Sequence, residues 1–225
     1  MKEFYSRTEM LIGEDNVNKL KNSHVAIFGI GGVGGYIAEA LARSGVGTLT
    51  LIDSDTVSAS NVNRQIIALR STIGRYKTEV MAERIYDINP HAKVITKNIF
   101  VNADNISEFD FSEFSYVADA IDTVSSKILI AEKTSECGTP LIMCMGAGNK
   151  LHPEMFEIAD ISKTSVCPLA RVMRTELRKR GISGIKCVYS KEQPVNVSGG
   201  RVPASISFVP SAAGLIVAGE IVRNL

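Results

Sequence analysis

Four glycines in the segment FGIGGVGGY, residues 28–36, have the spacing of a phosphate-binding turn. They are Gly29, Gly31, Gly32 and Gly34. Glycines let the backbone turn tightly after a strand and approach a phosphate, whose charge then meets the N-terminus of the next helix. Asp53 follows 19 residues beyond Gly34, where a carboxylate accepts hydrogen bonds from ribose hydroxyls. This pattern suits NAD and other adenine nucleotides alike, and its alternative role is close packing of a helix on a strand.

Charged and amide side chains beyond the turn favour ATP over a nicotinamide cofactor. They are Asp55, Asn61, Arg64, Gln65, Lys77 and Asp122. Attack on the α-phosphorus of ATP develops negative charge on the pyrophosphate leaving group, which Arg64 and Lys77 are suited to stabilise. The Asp122 carboxylate is suited to hold Mg²⁺. We therefore expect an adenylating site with Arg64, Lys77 and Asp122 as its catalytic residues; the alternative is a surface arginine and a lysine that begins a helix.

The elements that must position these residues are short β-rich segments alternating with helical ones. Strands are predicted at 24–29, 48–53, 93–98, 116–122 and 140–145, and helices at 14–22, 33–45, 74–89 and 124–137. The predicted fold class is α/β, with a Rossmann-like, doubly wound, mainly parallel sheet and helices on both faces. Asp119 and Asp122 then lie at or near the carboxyl end of the fourth strand, where open sheets bind ligands, and Asp122 is the stronger candidate.

The pattern changes after Gly148, where we expect an added C-terminal region of strand and helix. A strand of different orientation is predicted at 155–161, a basic helix at 168–181 and a mobile loop at 190–205. The apolar run 206–222 predicts a strand that ends at about Val209, followed by a buried helix with Pro210 near its first turn. We predict one domain over 1–225, with a nucleotide-binding core at about 22–150 and a substrate or dimer region at about 151–225.

Composition predicts a soluble globular protein, with 45% hydrophobic residues, 22% charged residues and a net charge of +1. Four cysteines without a Cys-x-x-Cys pair argue against zinc, and the polar N-terminal segment argues against a secretion signal, so we expect a cytoplasmic protein. The run 206–222 is too short and interrupted to span a bilayer, although peripheral membrane contact is the alternative to a core helix.

A nucleic-acid partner would have to contact a local basic patch, because the net charge is close to zero. Arg171, Arg174 and Arg178 recur at helical spacing and are expected to share one face of the basic helix. Contact with tRNA phosphates and plain solvation of this face are equally weighted interpretations.

Four motifs occur in order along the first part of the chain: GIGGVGG, LIDSDTVSASNVNRQ, GRYKTEVMAERIYDINP and DAID. Over roughly residues 5–150 they resemble the ubiquitin-activating-enzyme-like adenylating enzymes of the ubiquitin, thiamine and molybdopterin pathways. The segment 146–181 and IKCVYS at 185–190 are most similar to the tRNA threonylcarbamoyladenosine dehydratases within that superfamily. Such enzymes lack the paired zinc cysteines of the sulfur-carrier activators, as this chain does.

The resemblance implies that Gly32 and its neighbours contact the nucleotide and that Asp53 binds its ribose. Asn61, Arg64 and Lys77 would surround the phosphates, and Asp122 would bind Mg²⁺. Arg7 occupies a place from which related homodimers insert an arginine into the neighbouring subunit's site.

The implied reaction is ATP-dependent dehydration of threonylcarbamoyladenosine in tRNA. Its threonyl carboxylate attacks ATP, an acyl adenylate forms, and a nucleophile of the carbamoyl group closes a ring. One alternative is adenylation of the C-terminus of a ubiquitin-like sulfur-carrier protein, and a weaker one is NAD(P)-dependent oxidoreduction. A sulfur-transfer partner and a monovalent cation, K⁺ or Na⁺, are left open.

Overall fold

The computed structural model describes residues 2–195 and 203–225, so the centre of the loop predicted at 190–205 lies outside the described residues. The strands are β1 (His24–Phe28), β2 (Thr48–Ile52), β3 (Lys93–Lys97), β4 (Tyr116–Asp119), β5 (Leu141–Cys144), β6 (Phe156–Asp160) and β7 (Lys186–Ser190). They form one sheet in the order β3-β2-β1-β4-β5-β7-β6. Every neighbouring pair is parallel except β6 and β7, which confirms the predicted change of orientation.

Helices cover both faces of this sheet. They are α1 (Lys2–Ile12), α2 (Glu14–Asn22), α3 (Gly34–Ser44), α4 (Lys77–Ile88), α5 (Val124–Cys137), α6 (Pro168–Lys179) and α7 (Phe208–Asn224). Buried side chains of α3, α4 and α7 share one apolar cluster, and those of α5 and α6 share the other. Successive side chains of β1 enter alternate clusters, so this strand is buried on both sides. The predicted doubly wound α/β class is confirmed.

The sequence interpretation of the C-terminal apolar run was wrong in one respect, because residues 203–207, the described segment directly before α7, form no strand. The helix already begins at Phe208, and Pro210 lies in its first turn, where a missing backbone N–H costs no hydrogen bond. Val209, Ala213 and Val217 follow one another at helical spacing and are all buried. Within 2–195 and 203–225 no helix is both long and apolar enough to cross a bilayer.

Other elements differ from the prediction as well. Helix α1 precedes the expected first helix, α2, and β7 forms where no strand was predicted. Strand β4 ends at Asp119, three residues early, because the Asp119 carboxylate accepts a hydrogen bond from the Ile121 N–H at 3.1 Å and turns the chain. Asp122 therefore lies in the loop after the strand and not within it.

The strand order changes direction between β1 and β4. One half of the sheet continues from β1 to β2 and β3, and the other from β4 to β5 and beyond. In open α/β sheets, ligands bind in the crevice that forms at the carboxyl ends of the strands at such a point. The turn after β1 and the loop after β4 both begin there.

Candidate active site

The turn between β1 and α3 depends sterically on two of its four glycines. A Cβ added at Gly34 would lie 1.7 Å from the carbonyl oxygen of Gly29, so only glycine fits there. Gly29 has a φ of 88°, and a Cβ on it would lie 2.9 Å from the backbone of Ala120. The first contact closes the turn on itself, and the second holds it against the loop after β4.

The other two glycines are less constrained by backbone atoms. A Cβ at Gly31 would meet its nearest atom, Nε2 of Gln65, at 3.8 Å. A Cβ at Gly32 would lie 3.3 Å from Pro210 of α7 and 3.4 Å from Cγ of Arg64, which is a tight contact with two side chains. Gly31 is thus not required by internal packing, and its open face is suited to a close-lying ligand.

Asp53 organises the turn through its carboxylate. Oδ2 accepts a hydrogen bond from the Ile30 N–H at 2.7 Å, and Oδ1 accepts one from the Asp55 N–H at 2.8 Å. A carboxylate has about four acceptor positions, so capacity remains for the hydroxyls of a ribose. Asp53 therefore fixes the backbone of the turn and is still able to receive a ligand.

Lys77 begins α4, as predicted, and its side chain is almost fully buried. Its Nζ donates to Oδ2 of Asp55 at 2.6 Å and lies 4.0 Å from Oδ2 of Asp53. An ammonium group has three donors, and the Asp55 side chain is 65% exposed. The two carboxylates hold Lys77 beside the turn. A phosphate that entered there would compete with Asp55 for the ammonium group.

The segment around the short 3₁₀ turn Ala59–Asn61 supplies the remaining candidates. Oδ1 of Asn61 accepts from the Ser58 N–H at 3.0 Å, which leaves the Asn61 Nδ2 group as a donor. Arg64 donates through Nη1 to the carbonyl of Ser60 and to Oδ1 of Asn63, both at 2.9 Å. A guanidinium has five N–H donors, so Arg64 keeps several for a ligand next to Gly32.

Gln65 has a buried polar atom that nothing in the described part of the chain satisfies. Its residue is 7% exposed, and Oε1 has no hydrogen-bond partner there. The two ends of an amide are interchangeable in assignment, so either a donor or an acceptor faces the turn at Gly31. A buried unsatisfied amide is costly unless a ligand or water engages it, which fits a nucleotide in the turn.

Asp122 is exposed in the loop after β4, whose preceding residues Ala120 and Ile121 pack against Gly29. Over the described ranges, no group of three or more His, Cys, Asp or Glu side chains could hold a metal ion. Mg²⁺ in phosphate sites usually takes one or two carboxylates and completes its shell with phosphate oxygens and water. A single carboxylate at this edge fits that kind of site.

The structure also brings to the site residues that sequence reasoning missed. The chain on both sides of residues 196–202 is fixed to Asn149: its carbonyl accepts from the Val195 N–H and its Oδ1 from the Ala204 N–H, each at 2.7 Å. Asn63 then donates to the carbonyl of Ser205 at 2.9 Å, beside Arg64. The one local signal for this arrangement was Asn149 itself, because asparagine tolerates the positive φ of 57° found there.

The sequence offered Asp119 as the weaker of two carboxylate candidates but missed its partner, Lys127; both side chains are fully buried. Their charged atoms lie 3.0 Å apart, directly behind the loop that carries Asp122. Burial raises the pKa of Asp119, and the charge and hydrogen bond of Lys127 oppose that rise. Lys127 was overlooked because a lysine in the first turn of a helix is usually solvated.

Arg7 is not part of this cluster. It is exposed on α1, and Tyr5 of the same helix packs on Gly45 at the C-terminal end of α3. The glycine turn lies at the other end of α3, and an 11-residue helix is about 16 Å long. Arg7 is therefore remote from the turn of its own chain, so a contact with nucleotide requires a neighbouring copy.

The three arginines of α6 are not equivalent. Arg171 and Arg178 are exposed, whereas Arg174 is half-buried and donates through Nη1 to the carbonyl and the hydroxyl of Thr164, both at 2.7 Å. Arg174 thus ties α6 to the turn that precedes it. Arg174 is therefore engaged in an internal contact, and contact of the three arginines with tRNA stays a prediction.

Burial also determines the state of two cysteine thiols. It raises the pKa of Cys144 and of Cys187 to about 12 in each case. Both thiols therefore stay protonated at neutral pH, and a protonated thiol is a poor nucleophile.

Known proteins resemble the chain over nearly its whole length. The model of the ThiF family matches residues 5–225. A tRNA threonylcarbamoyladenosine dehydratase from Bacillus subtilis is 44% identical over 98% of this chain and 94% of its own length. The Escherichia coli enzyme of the same name is 40% identical over 84% of this chain and 73% of its own length.

Solved structures agree with this similarity. The crystal structure of E. coli tRNA N6-threonylcarbamoyladenosine dehydratase in complex with ATP has a TM-score of 0.93 and 36% identity, over 99% of this chain and 93% of that one. Its complex with AMP gives a TM-score of 0.92 and 37% identity over the same shares.

Proposed function

Because this chain belongs to the ThiF family, we propose that it uses ATP to dehydrate threonylcarbamoyladenosine in tRNA, by adenylating its threonyl carboxylate. The observation that carries the proposal is the set of two cations, Arg64 and Lys77, beside a glycine turn that lies next to the amide nitrogen of Gln65. Its relatives of about the same length include enzymes named for this substrate, one of them solved with ATP and with AMP.

In the first step, the carboxylate oxygen of the threonyl group attacks the α-phosphorus of ATP and pyrophosphate leaves. Asp53 holds the ribose, and Asn61 with the main-chain N–H groups of the turn holds the phosphates. Arg64 and Lys77 stabilise the charge that develops on pyrophosphate. Bound at Asp122, Mg²⁺ would supply further charge neutralisation on the phosphates.

In the second step, the carbamoyl group attacks the activated carboxyl carbon and AMP leaves with one of the former carboxylate oxygens. A proton is lost, so the nucleoside is reduced by one water overall. Because the nucleophile belongs to the substrate, holding the two groups close together supplies most of the rate enhancement. This step requires no cysteine nucleophile, in keeping with the buried, protonated thiols of Cys144 and Cys187.

The tRNA partner is proposed to contact the exposed arginines of α6, Arg171 and Arg178. Lys179 extends the same basic end of the helix, although it is paired with Glu176 at 2.7 Å. Such phosphate contacts position an RNA without reading its sequence. Arg174 supports this surface from within through Thr164.

A homodimer is proposed as the active form. Helix α1 exposes three large apolar side chains, Phe4 at 69%, Met10 at 87% and Leu11 at 85%, a pattern that marks an interaction surface. A second copy seated there would bring Arg7 to a neighbouring glycine turn, which its own α1 does not reach. The occupant we infer is therefore another copy of this chain.

Cellular location and domain organisation also belong to the proposal. We infer a cytoplasmic location, where tRNA is modified, and a single domain over 1–225. A monovalent cation and a sulfur-transfer partner remain compatible with the proposal, but no contact among the described residues argues specifically for either. Peripheral membrane contact through α7 loses support, because most of its apolar side chains pack in the core, although Phe208 and Leu215 are exposed.

The experiment is to incubate the purified chain with ATP, Mg²⁺ and tRNA that carries threonylcarbamoyladenosine. We expect AMP release together with a modified nucleoside lighter by one water, measured by mass spectrometry. AMP release only with a carrier protein that ends in Gly-Gly would establish the sulfur-carrier alternative instead. Reduction of NAD(P) without ATP turnover would establish an oxidoreductase.

A further inference from the structure

The fully buried ion pair behind the site has a geometry that concerns the loop after β4. Lys127 Nζ lies 3.0 Å from Oδ1 of Asp119 and donates to the carbonyl of Ile121 at 2.9 Å. Oδ1 of Asp119 in turn accepts from the N–H of the same residue, Ile121, at 3.1 Å. Both backbone polar groups of Ile121 are therefore held by the pair.

This arrangement is not explained by stability. Removing two charges from water costs several kcal/mol per ion, and well-packed apolar residues often replace a buried pair at no loss. Oδ2 of Asp119 in addition finds no partner in the described part of the chain, a further cost. Packing alone therefore does not account for this ion pair, whose two side chains are both 0% exposed.

The loop that the pair holds is the one that meets the nucleotide turn. Ala120 lies against Gly29, where a Cβ would come within 2.9 Å of its backbone. Asp122 follows Ile121 directly and is itself exposed, with one weak contact from Thr123 at 3.5 Å. Its own side chain contributes little to its position, so the fixed Ile121 peptide determines where Asp122 points.

We propose that Asp119 and Lys127 are positioning residues that hold the Ile121 peptide and thereby aim the Asp122 carboxylate at the metal–phosphate end of the site. Neither residue touches the nucleotide. This inference rests on the proposed function only in the role given to Asp122. The holding of the loop is a property of the free protein and is measured separately.

The test uses the double variant Asp119→Leu/Lys127→Met, which removes both charges and both hydrogen bonds while keeping similar volume. The matched control is Glu39→Gln, which weakens the ion pair between α3 and α4 on the other face of the sheet. Amide hydrogen exchange is measured on the free proteins. ATP affinity is then measured with Mg²⁺ and with EDTA, so that the gain due to the metal is obtained as a ratio.

The double variant is expected to exchange the Ile121 amide about tenfold faster, the loss that one hydrogen bond predicts. Its Mg²⁺-dependent gain in ATP affinity should fall about 10-fold or more, as happens when the outer partners of metal ligands are lost. ATP affinity in EDTA should remain unchanged. The control should keep both the Ile121 protection and the Mg²⁺ gain, even if its stability falls.

Unchanged exchange at Ile121 or an unchanged Mg²⁺ gain in the double variant would overturn this inference. If the double variant does not fold, Asp119→Asn takes its place, because asparagine keeps an oxygen acceptor but weakens both bonds. This variant should shift both readouts in the same direction by a smaller factor. Readouts equal to those of the parent would contradict the inference. Failure of the parent to release AMP with the tRNA would instead reject the proposed function and leave the Ile121 exchange result standing.

Discussion

At the scale of single residues, the four glycines of the turn have two different tasks. Gly29 and Gly34 are demanded by the chain itself, since any side chain there meets backbone atoms. Gly31 has space around it, and Gly32 would meet only the side chains of Pro210 and Arg64, so at these positions the missing side chain leaves room for a ligand against the turn. The same spacing motif thus combines a steric and a ligand-binding requirement.

The glycine substitutions should separate these tasks. Gly34→Ala places a Cβ 1.7 Å from the Gly29 carbonyl oxygen, so the backbone must shift and Tm should fall by about 10 °C or more. Gly31→Ala should leave Tm within about 2 °C but lower ATP affinity about tenfold, because its Cβ occupies space close to a phosphate. Thermal melts and ATP titrations test both. Full ATP affinity in folded Gly31→Ala would remove Gly31 from the nucleotide site.

At the scale of elements, much of the fold follows from local sequence signals. The five strands β1–β5 were predicted because their apolar runs are bounded by glycine, proline and polar residues. The helix α1 was missed because its large apolar residues face outward and give no core-facing pattern. The strand expected before Pro210 was wrong because a short apolar run does not distinguish a strand from the start of a buried helix.

The candidate site was less predictable than the fold. Residue type and order singled out Asp53, Arg64, Lys77 and Asp122, and the structure places them along the crevice at the carboxyl edge of the sheet or on the loops beside it. Several of their partners could not be read from the sequence, because these contacts depend on how separate elements pack together. Lys77 with Asp55, and Lys127 with Asp119, become neighbours only when the elements pack.

Helix α6 gives a prediction about the tRNA surface. Reversing Arg171 and Arg178 together to Glu should weaken tRNA binding about 10- to 100-fold and reduce its salt dependence, since two phosphate contacts are lost. ATP binding should be unaffected. The control is Lys19→Glu/Lys21→Glu on α2, which makes the same change in net charge at two exposed positions. Equal loss in both double variants would mean that only net charge matters.

The contact between α3 and α4 gives a prediction about pH. Glu39 accepts hydrogen bonds from Arg84 and Arg43. Burial alone would raise the pKa of Glu39, but these arginines together hold it below its ordinary value. A lowered folded-state pKa adds stability above the ordinary value of 4.5, and this stability is lost as pH falls through the folded pKa.

Glu39→Gln should therefore be less stable than the parent by about 1–2 kcal/mol at about pH 7. The difference should shrink as the pH is lowered below the ordinary carboxyl range, to about pH 4 and under. Urea unfolding at several pH values measures it, and exposed Glu136→Gln serves as the control with no resolved difference. A pH-independent difference would mean that shape, and not charge, makes the contact.

At the scale of the whole molecule, Arg7 lies away from the glycine turn of its own chain. If each site is completed by a neighbour, two inactive variants should restore one another. Arg7→Ala mixed with Arg64→Ala gives heterodimers in which one of the two sites has both arginines. A random mixture should recover about a quarter of parental activity in a two-fold symmetric dimer.

The control for this mixture is each variant alone, and Arg70→Ala, an exposed arginine near Arg64, should be fully active. Activity that stays at the level of the separate variants after subunit exchange would show that Arg7 acts within its own chain or not at all. Sedimentation of the parent tests the dimer independently.

The account as a whole depends on an acyl adenylate formed from the threonyl carboxylate. The most direct measurement uses tRNA in which both oxygens of the threonyl carboxylate are oxygen-18. Turnover is followed by mass spectrometry of the released AMP. We predict one oxygen-18 atom in each AMP, because the oxygen that attacks the α-phosphorus leaves with it on ring closure. Unlabelled AMP formed alongside the dehydrated nucleoside would contradict adenylation of that carboxylate.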